Sequence, residues 1–389
     1  MLPETQLWAG SGAMALTGRR HGPPLLGSGS PARTLADALD RLRQLGVPNL
    51  PGVQLLGERA ALGGLVRNGP RSVGGAFRML PAADGWFGIS LSRPSDLELV
   101  PALVQAEVPD PWNAVETWLT RTTLAVATER ARLLGLAAAA VPERPQPPHR
   151  AGVVMAHGGR RRRGGPLLVV DFSALWAGPL CAQLLGLAGA RVIKVEDPRR
   201  PDGARRGDPA FYNLLHGGHE AIAVDLSARR TAVARLVAAA DIVIEASRPR
   251  ALARLGLDAA AFAAEGGIWV SITAGGRADA LRVGFGDDVA AGAGLVAWDD
   301  GIPFPMGDAL ADPITGVAAA AAALSVLADG RGAVVDISMH DLCAEAACRP
   351  ADGPRDVAAA GPVARAARER AAPLGRDTQP ILTEFVRSE

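Results

Sequence analysis

VVDFSALWAGPLCAQLLGLAGARVIKVE, residues 169–196, decides the fold. It closes an apolar run from Pro166 to Phe172, turns at Ser173–Trp176, continues as an amphipathic stretch from Gly178 to Gly189, and ends in a second apolar run, Arg191 to Glu196. A continuous rather than alternating apolar run is what a strand covered on both faces requires. A periodic stretch that stops at a glycine reads as a helix. The segment therefore predicts strand, helix and parallel strand.

The pattern repeats downstream. Ala221–Leu226, Asp241–Ala246, Gly267–Thr273 and Gly332–Ser338 read as further strands, with alanine-rich helices between several of them, such as Ala228–Ala240. Strands alternating with helices predict an α/β fold with a doubly wound, mostly parallel sheet. Such sheets bind ligands at the carboxyl ends of their strands. Upstream the texture differs. Gly75–Leu91 reads as a hairpin turning at Asp84-Gly85, and Pro111–Thr122 and Leu124–Leu136 read as helices. The expected organisation is a small α+β domain over 1–141, an exposed linker over 142–165, a large domain over 166–349 and a C-terminal tail over 350–389 with a short helix near Gln379–Val386. The linker is read from Pro142, Pro145, Pro147 and Pro148 and from the run Arg160–Arg163. No internal repeat is evident.

Composition narrows the function. The 389 residues include 48% hydrophobic and 21% charged side chains, which suits a folded, core-bearing chain. Forty-one basic residues against forty acidic ones give no bias toward nucleic acid or membrane. The longest apolar run, Gly316–Ala328, reads as too short to span a bilayer. The opening residues carry no secretory leader pattern. Cys181, Cys343 and Cys348 form no disulfide framework, and no Cys/His spacing suggests zinc. The expectation is a cytoplasmic enzyme without a metal. Lys194 is the single lysine, which we read as base composition.

Two places carry candidate chemistry. Nicotinamide binding would need a glycine fingerprint in the first turn, and Ser173-Ala-Leu-Trp176-Ala-Gly178-Pro179 has one glycine where three are required, although Glu196 stands where a ribose-binding acid would sit. The same turn opens a helix with free N–H groups, suited either to a phosphate or thioester oxygen or to nothing beyond starting a helix. Further on, Gly307-Asp308-Ala-Leu-Ala-Asp312-Pro313-Ile-Thr-Gly316 precedes a long apolar helix. Asp312 followed by Pro313 reads as an N-cap with proline in the first turn. A carboxylate there is either a structural cap or a nucleophile beside donors able to hold an oxyanion. His216, His219 and His340 read as ordinary polar positions.

With these residues quoted, the large domain resembles the family III CoA-transferases, the CaiB/BaiF group. The resemblance rests on 169–196, AIAVDL (221–226), ADIVIEASRPRALARLG (240–256), WVSIT (269–273), DPITG (312–316) and GRGAVVDISMHD (330–341). It implies a Rossmann-like CoA-binding domain, acyl-CoA and carboxylic acid substrates, coenzyme A but neither metal nor NAD, and an interlocked homodimer. In the family the small domain follows the large one. Here GAFRMLPAADGWFGISL (75–91) and residues 114–141 resemble it, SGAMALTGRRHGPP (11–24) resembles the segment that leads into it, and APLGRDTQPILTEF (372–385) resembles the family's end. The order is that of a circular permutation joined at 142–165.

The resemblance implies that Asp312, four residues before Gly316, is the nucleophile, with Asp308 as runner-up. Trp176, Ala177, Val224, Asp225, Ala246, Ser247, Arg248, Arg254, Phe285, Gly286 and Asp287 fall at CoA-lining positions, Arg254 at a phosphate-binding one. Some family basic positions have become Asp197, His219 and Glu220, leaving phosphate contacts to Arg199, Arg200, Arg205, Arg206 or Arg282. A non-catalytic CoA-binding or partner subunit is the rival reading. The racemase branch pairs its aspartate with a histidine where Asp287 stands here, which disfavours racemisation.

Overall fold

In a computed structural model, described over residues 2–149, 153–159, 165–247 and 250–386, two sheets and a hairpin organise the chain. Strands β1 (Phe77–Ala82), β2 (Gly85–Ser90) and β3 (Ala137–Val141) form an antiparallel sheet. The large sheet holds β4 (Val153–Gly159), β5 (Leu168–Asp171), β6 (Arg191–Glu196), β7 (Glu220–Ala223), β8 (Ile242–Glu245), β9 (Ile268–Thr273) and β12 (Arg331–Ser338). Between β9 and β12 lies a separate hairpin, β10 (Val296–Asp299) with β11 (Ile302–Pro305).

The large sheet runs β4-β12-β9-β8-β5-β6-β7, every neighbouring pair parallel except β4 with β12. After β4 at one edge, the chain enters the middle at β5, moves out through β6 and β7, then crosses to β8 and continues toward β9 and β12. The order therefore reverses between β5 and β8, and the carboxyl ends of such a pair are where folds of this kind bind ligands. β5, β8 and β9 are buried on both faces, which is the reason their runs Leu168–Val170, Ile242–Ile244 and Ile268–Val270 are apolar without a break. The fold class is the mixed α/β architecture expected from the sequence.

Seven helices matter for the site. They are α1 (Glu4–Gly10), α2 (Pro31–Gln44), α3 (Glu58–Leu62), α4 (Ala177–Leu187), α5 (Gly286–Gly292), α6 (Ala311–Ala328) and α7 (Thr378–Val386). Helix α6 is apolar on all sides and correspondingly packed on several: against α4, α2, β9 and β12. It corrects the expectation about the apolar run. At 18 residues it is long and apolar enough to cross a bilayer, yet 67% of it is buried inside the protein.

Three expectations meet a different arrangement. Residues 77–136 have their own core around Phe87, Ile89, Leu103, Val115 and Leu119, but Trp8, Leu35, Leu39, Leu42 and Leu56 share the core of the large sheet's helices. The first 62 residues thus pack with the large domain. Within the expected linker, 153–159 adds β4 to the edge of the large sheet, because β12 offers unpaired backbone groups there. The run Arg160–Arg163 lies outside the described residues. The tail is an ordered strap: Asp352 accepts from the Glu4 N–H at 2.7 Å, Arg365 pairs with Glu58 at 2.5 Å, and α7 docks Ile381 under the sheet.

Candidate active site

The site begins where β5 ends. The turn after Asp171 puts Leu175 in the left-handed region at φ 70°, costly for a leucine, and the turn is held from below. Asp202 accepts from the Leu175 N–H at 3.0 Å, and the Lys194 ammonium donates to the Ser173 carbonyl. Lys194 is 1% exposed and lies 3.1 Å from Asp202 Oδ2 and 3.6 Å from Asp171 Oδ2. The single lysine is therefore the buried counter-ion of this loop, so the composition-based reading of it is replaced. At Gly178 a Cβ would come 2.2 Å from Ser173 Cβ, which explains the glycine in the first turn of α4. The outcome of this bracing is an aimed donor: Ala177 N–H points at Asp312 Oδ1, 3.3 Å away.

Asp312 does not cap its helix. Helix α6 begins at Ala311 with Leu310 as N-cap, because the chain turns earlier, with Gly307 at φ 67° and Ala309 at φ 44°. Asp312 is the second helical residue, and its half-buried carboxylate faces away from its own backbone toward α4 and α5. The start of α5 closes in from the other side. A Cβ on Gly286 would sit 2.3 Å from both Asp312 Oδ2 and the Ala309 carbonyl oxygen, so only glycine fits. Burial, with the charge of Asp308, pushes the Asp312 carboxyl up to about 6, against the pull of Arg59 and of the Ala177 and Gly286 backbone N–H groups.

The cation of the site was not visible in the sequence. Arg59, on α3, donates through two nitrogens to Asp308, whose side chain is fully buried, and its guanidinium lies 5.4 Å from the Trp176 ring. Asp287 accepts from the Ala309 N–H at 3.0 Å and is pushed up to about 7 by burial first and Asp308 second. One guanidinium thus serves three carboxylates. Arg59 lies 249 residues from Asp308 in the chain and within a five-residue helix, so no spacing announces it.

Trp176, Ala177, Phe285, Gly286, Asp287 and Asp312 are therefore brought together, all within one chain. Ala246 adjoins them, 3.5 Å from where a Gly178 Cβ would be. The others stand apart. Val224 and Asp225 follow β7, where Asp225 pairs with Arg199 at 3.0 Å; Ser247 is half-buried, Arg254 is exposed beyond a short helix, and Arg248 lies outside the described residues. Arg205 is not free for a phosphate, since it is bonded to Glu196 at 2.6 Å and stacked 4.6 Å from the Tyr212 ring. His216 and His219 are buried and held neutral, their protonated forms disfavoured by burial and by Lys194; His340 opens a helix rather than ending a strand.

The sequence pattern described as CoA-transferase family III matches residues 166–369. The chain belongs to that family. A succinate–glutarate CoA-transferase from Agrobacterium fabrum is 30% identical over 200 residues, covering 45% of this chain and 50% of the relative. A succinyl-CoA–D-citramalate CoA-transferase from Chloroflexus aurantiacus is 32% identical over 193 residues, covering 44% and 48%. A CaiB/BaiF family protein from Brucella suis, known as a crystal structure, is 30% identical at a TM-score of 0.43, covering 48% of this family III chain and 55% of that one. The chain spans about half the length of the curated relatives it matches.

Proposed function

We propose that this family III protein transfers coenzyme A from an acyl-CoA to a carboxylic acid, with Asp312 as the nucleophile. The observation that carries the reading is the carboxylate of the half-buried Asp312, held between the Ala177 and Gly286 backbone N–H groups and raised to about 6. At neutral pH it is ionised, yet more basic than an ordinary aspartate, a useful combination in a nucleophile. Asp308 lacks it, because both of its oxygens are taken by Arg59.

An Asp312 oxygen attacks the thioester carbonyl, the C–S bond breaks, and CoA leaves as a thiolate. The thiolate attacks the Asp312 carbonyl of the mixed anhydride and releases the donor's carboxylate. This leaves an aspartyl-CoA thioester. The acceptor carboxylate attacks that thioester and frees the thiolate, which then takes the acceptor's acyl group and regenerates Asp312. No net proton is consumed. The Ala177 N–H lies where negative charge gathers at Asp312, and the Arg59 charge offsets the anions around it. Trp176 and Phe285 directly precede the two donor residues Ala177 and Gly286, and apolar surface there would limit water, the competing acceptor.

The test is trapping. Incubation with succinyl-CoA, glutaryl-CoA and a panel of short and branched acyl-CoAs, followed by hydroxylamine and peptide mass analysis, should find the label on Asp312. Asp312→Asn should abolish it. No label and no CoA exchange across the panel refutes the reading. Calorimetric CoA binding without exchange would instead favour the non-catalytic CoA-binding subunit, for which the internally occupied Arg199 and Arg205 speak.

A further inference from the structure

Residues 4–44 repeat the local architecture of 286–328. Helices α1 and α5 are each seven residues long, and each is followed two residues later by a left-handed glycine, Gly12 at φ 84° and Gly294 at φ 90°. Each then enters a hairpin-like turn: β10 and β11 in the second segment, and a Leu25 N–H to Thr17 carbonyl bond in the first. A left-handed residue stands two positions before the next helix in both, Gly29 at φ 70° ahead of α2 and Ala309 at φ 44° ahead of α6. Aligned from the starts of α1 and α5, Gly12 stands over Gly294; aligned from the starts of α2 and α6, Gly27 stands over Gly307, so the turn of the first segment is two residues longer.

The two segments also meet each other reciprocally. The turn before α6 donates from Gly307 N–H to Thr17 Oγ1 at 2.9 Å, while the turn before α2 donates from Ser28 N–H to the Val296 carbonyl at 3.1 Å. Arg19, in the turn of the first segment, pairs with Asp299, in the hairpin of the second, at 2.7 Å. Helices α2 and α6 pack against one another.

At the junction of the paired helices one carboxylate is exchanged for another. In the second segment Gly286 leaves room for Asp312. In the first, Ala32 replaces the aspartate and Glu4 replaces the glycine. The Glu4 carboxylate, 2% exposed, fills the junction and accepts from Ala32 N–H at 3.1 Å and Arg33 N–H at 2.7 Å. Burial pushes Glu4 up to about 7.

We infer that residues 4–44 are a second, silenced copy of the site-bearing segment, packed on the first about a local two-fold within one chain, with Glu4 plugging the place where the reacting carboxylate would be exposed. The chain then holds one working junction and one closed one. The silent half is an internal partner, and the chain leaving it brings Arg59 to Asp308. A simple permutation would leave one such segment, whereas here there are two. The assignment of which junction reacts rests on the proposed function; the repeat and its intrachain contact do not.

The experiments separate those parts. With Cys348 changed to serine, Arg19→Cys/Asp299→Cys is treated with a short bis-maleimide and run under denaturing conditions. The expected product is a cross-link inside a single chain. A product of doubled mass, or no cross-link, overturns the intrachain two-fold. Acyl-CoA trapping then expects one labile acyl group per chain, lost in Asp312→Asn and retained in Glu4→Gln. Label on Glu4 overturns the silencing. If the wild type takes no label, the proposed function fails while the cross-link still decides the repeat.

Discussion

Replacing Asp312 by asparagine should make the protein more stable at pH 8 and slightly less stable at pH 4. The carboxyl is pushed from its ordinary 3.8 up to about 6, chiefly by burial, so the folded state binds its proton more tightly than the unfolded chain does. Between those values the native protein holds the proton that the unfolded chain has released, and native stability falls as pH rises through the window. At 1.36 kcal/mol per unit the full displacement is worth about 3 kcal/mol, and water at the half-buried group reduces this to roughly 2. Asparagine carries no such penalty. It can still accept from the Ala177 N–H, but its amide faces the Gly286 N–H as a second donor, a pH-independent cost of about 1 kcal/mol. The stability of the asparagine variant minus that of the wild type should therefore climb by about 2 kcal/mol between pH 4 and pH 8, changing sign near the middle. Asp287 is pushed the same way in both proteins and largely cancels from the difference. Urea midpoints at half-unit pH intervals, by tryptophan fluorescence and circular dichroism, read it out. Parallel curves for the two proteins would refute the claim that burial strains this carboxylate.

Trapping of acyl groups on Asp312 should accelerate as pH rises through about 6 and then level off, since the ionised form attacks; a rate flat from pH 4.5 to 8 in stopped-quench assays contradicts this. Gly286→Ala places a Cβ 2.3 Å from a backbone oxygen that cannot move aside freely, so destabilisation of about 1–3 kcal/mol with loss of trapping is expected; a variant that melts and labels like the wild type removes the close-approach argument. Lys194→Met leaves Asp171 and Asp202 buried without their cation, which should cost about 3–5 kcal/mol in urea unfolding. A cost below about 1 kcal/mol would mean that the lysine does not brace the loop.

How far the sequence could be read depends on where each interaction lies along the chain. β5, α4 and β6 are contiguous, and burial on both faces writes itself as unbroken apolar runs, so their bounds fall within a few residues of expectation. Asp312 was visible as a polar residue at the mouth of an apolar helix, but its capping role was misread. The Asp-Pro pair suggested a helix starting at Pro313; the left-handed turn at Gly307 and Ala309 starts it at Ala311 instead. β4 was hidden because its apolar residues, Val153, Val154 and Met155, sit between proline and arginine-glycine clusters, and an edge strand needs little hydrophobicity of its own. The repeat was hidden because the two segments share backbone turns rather than side chains.

The same distance in sequence explains the charge arrangement. Asp308 and Asp312 lie four residues apart in sequence and look equivalent as candidates, and what distinguishes them is an arginine delivered from the far end of the chain. Arg59 gives two hydrogen bonds to Asp308 and only its longer-range field to Asp312. Both Asp308 oxygens are occupied by the guanidinium's hydrogen bonds, whereas Asp312, desolvated and under-compensated, is pushed up to about 6. On the proposed function, Arg59 selects between two aspartates by satisfying the one that is not the nucleophile. The loop braced by Lys194 then supplies a further donor through Ala177, so a buried lysine and a half-buried arginine on different elements set which oxygens are already paired.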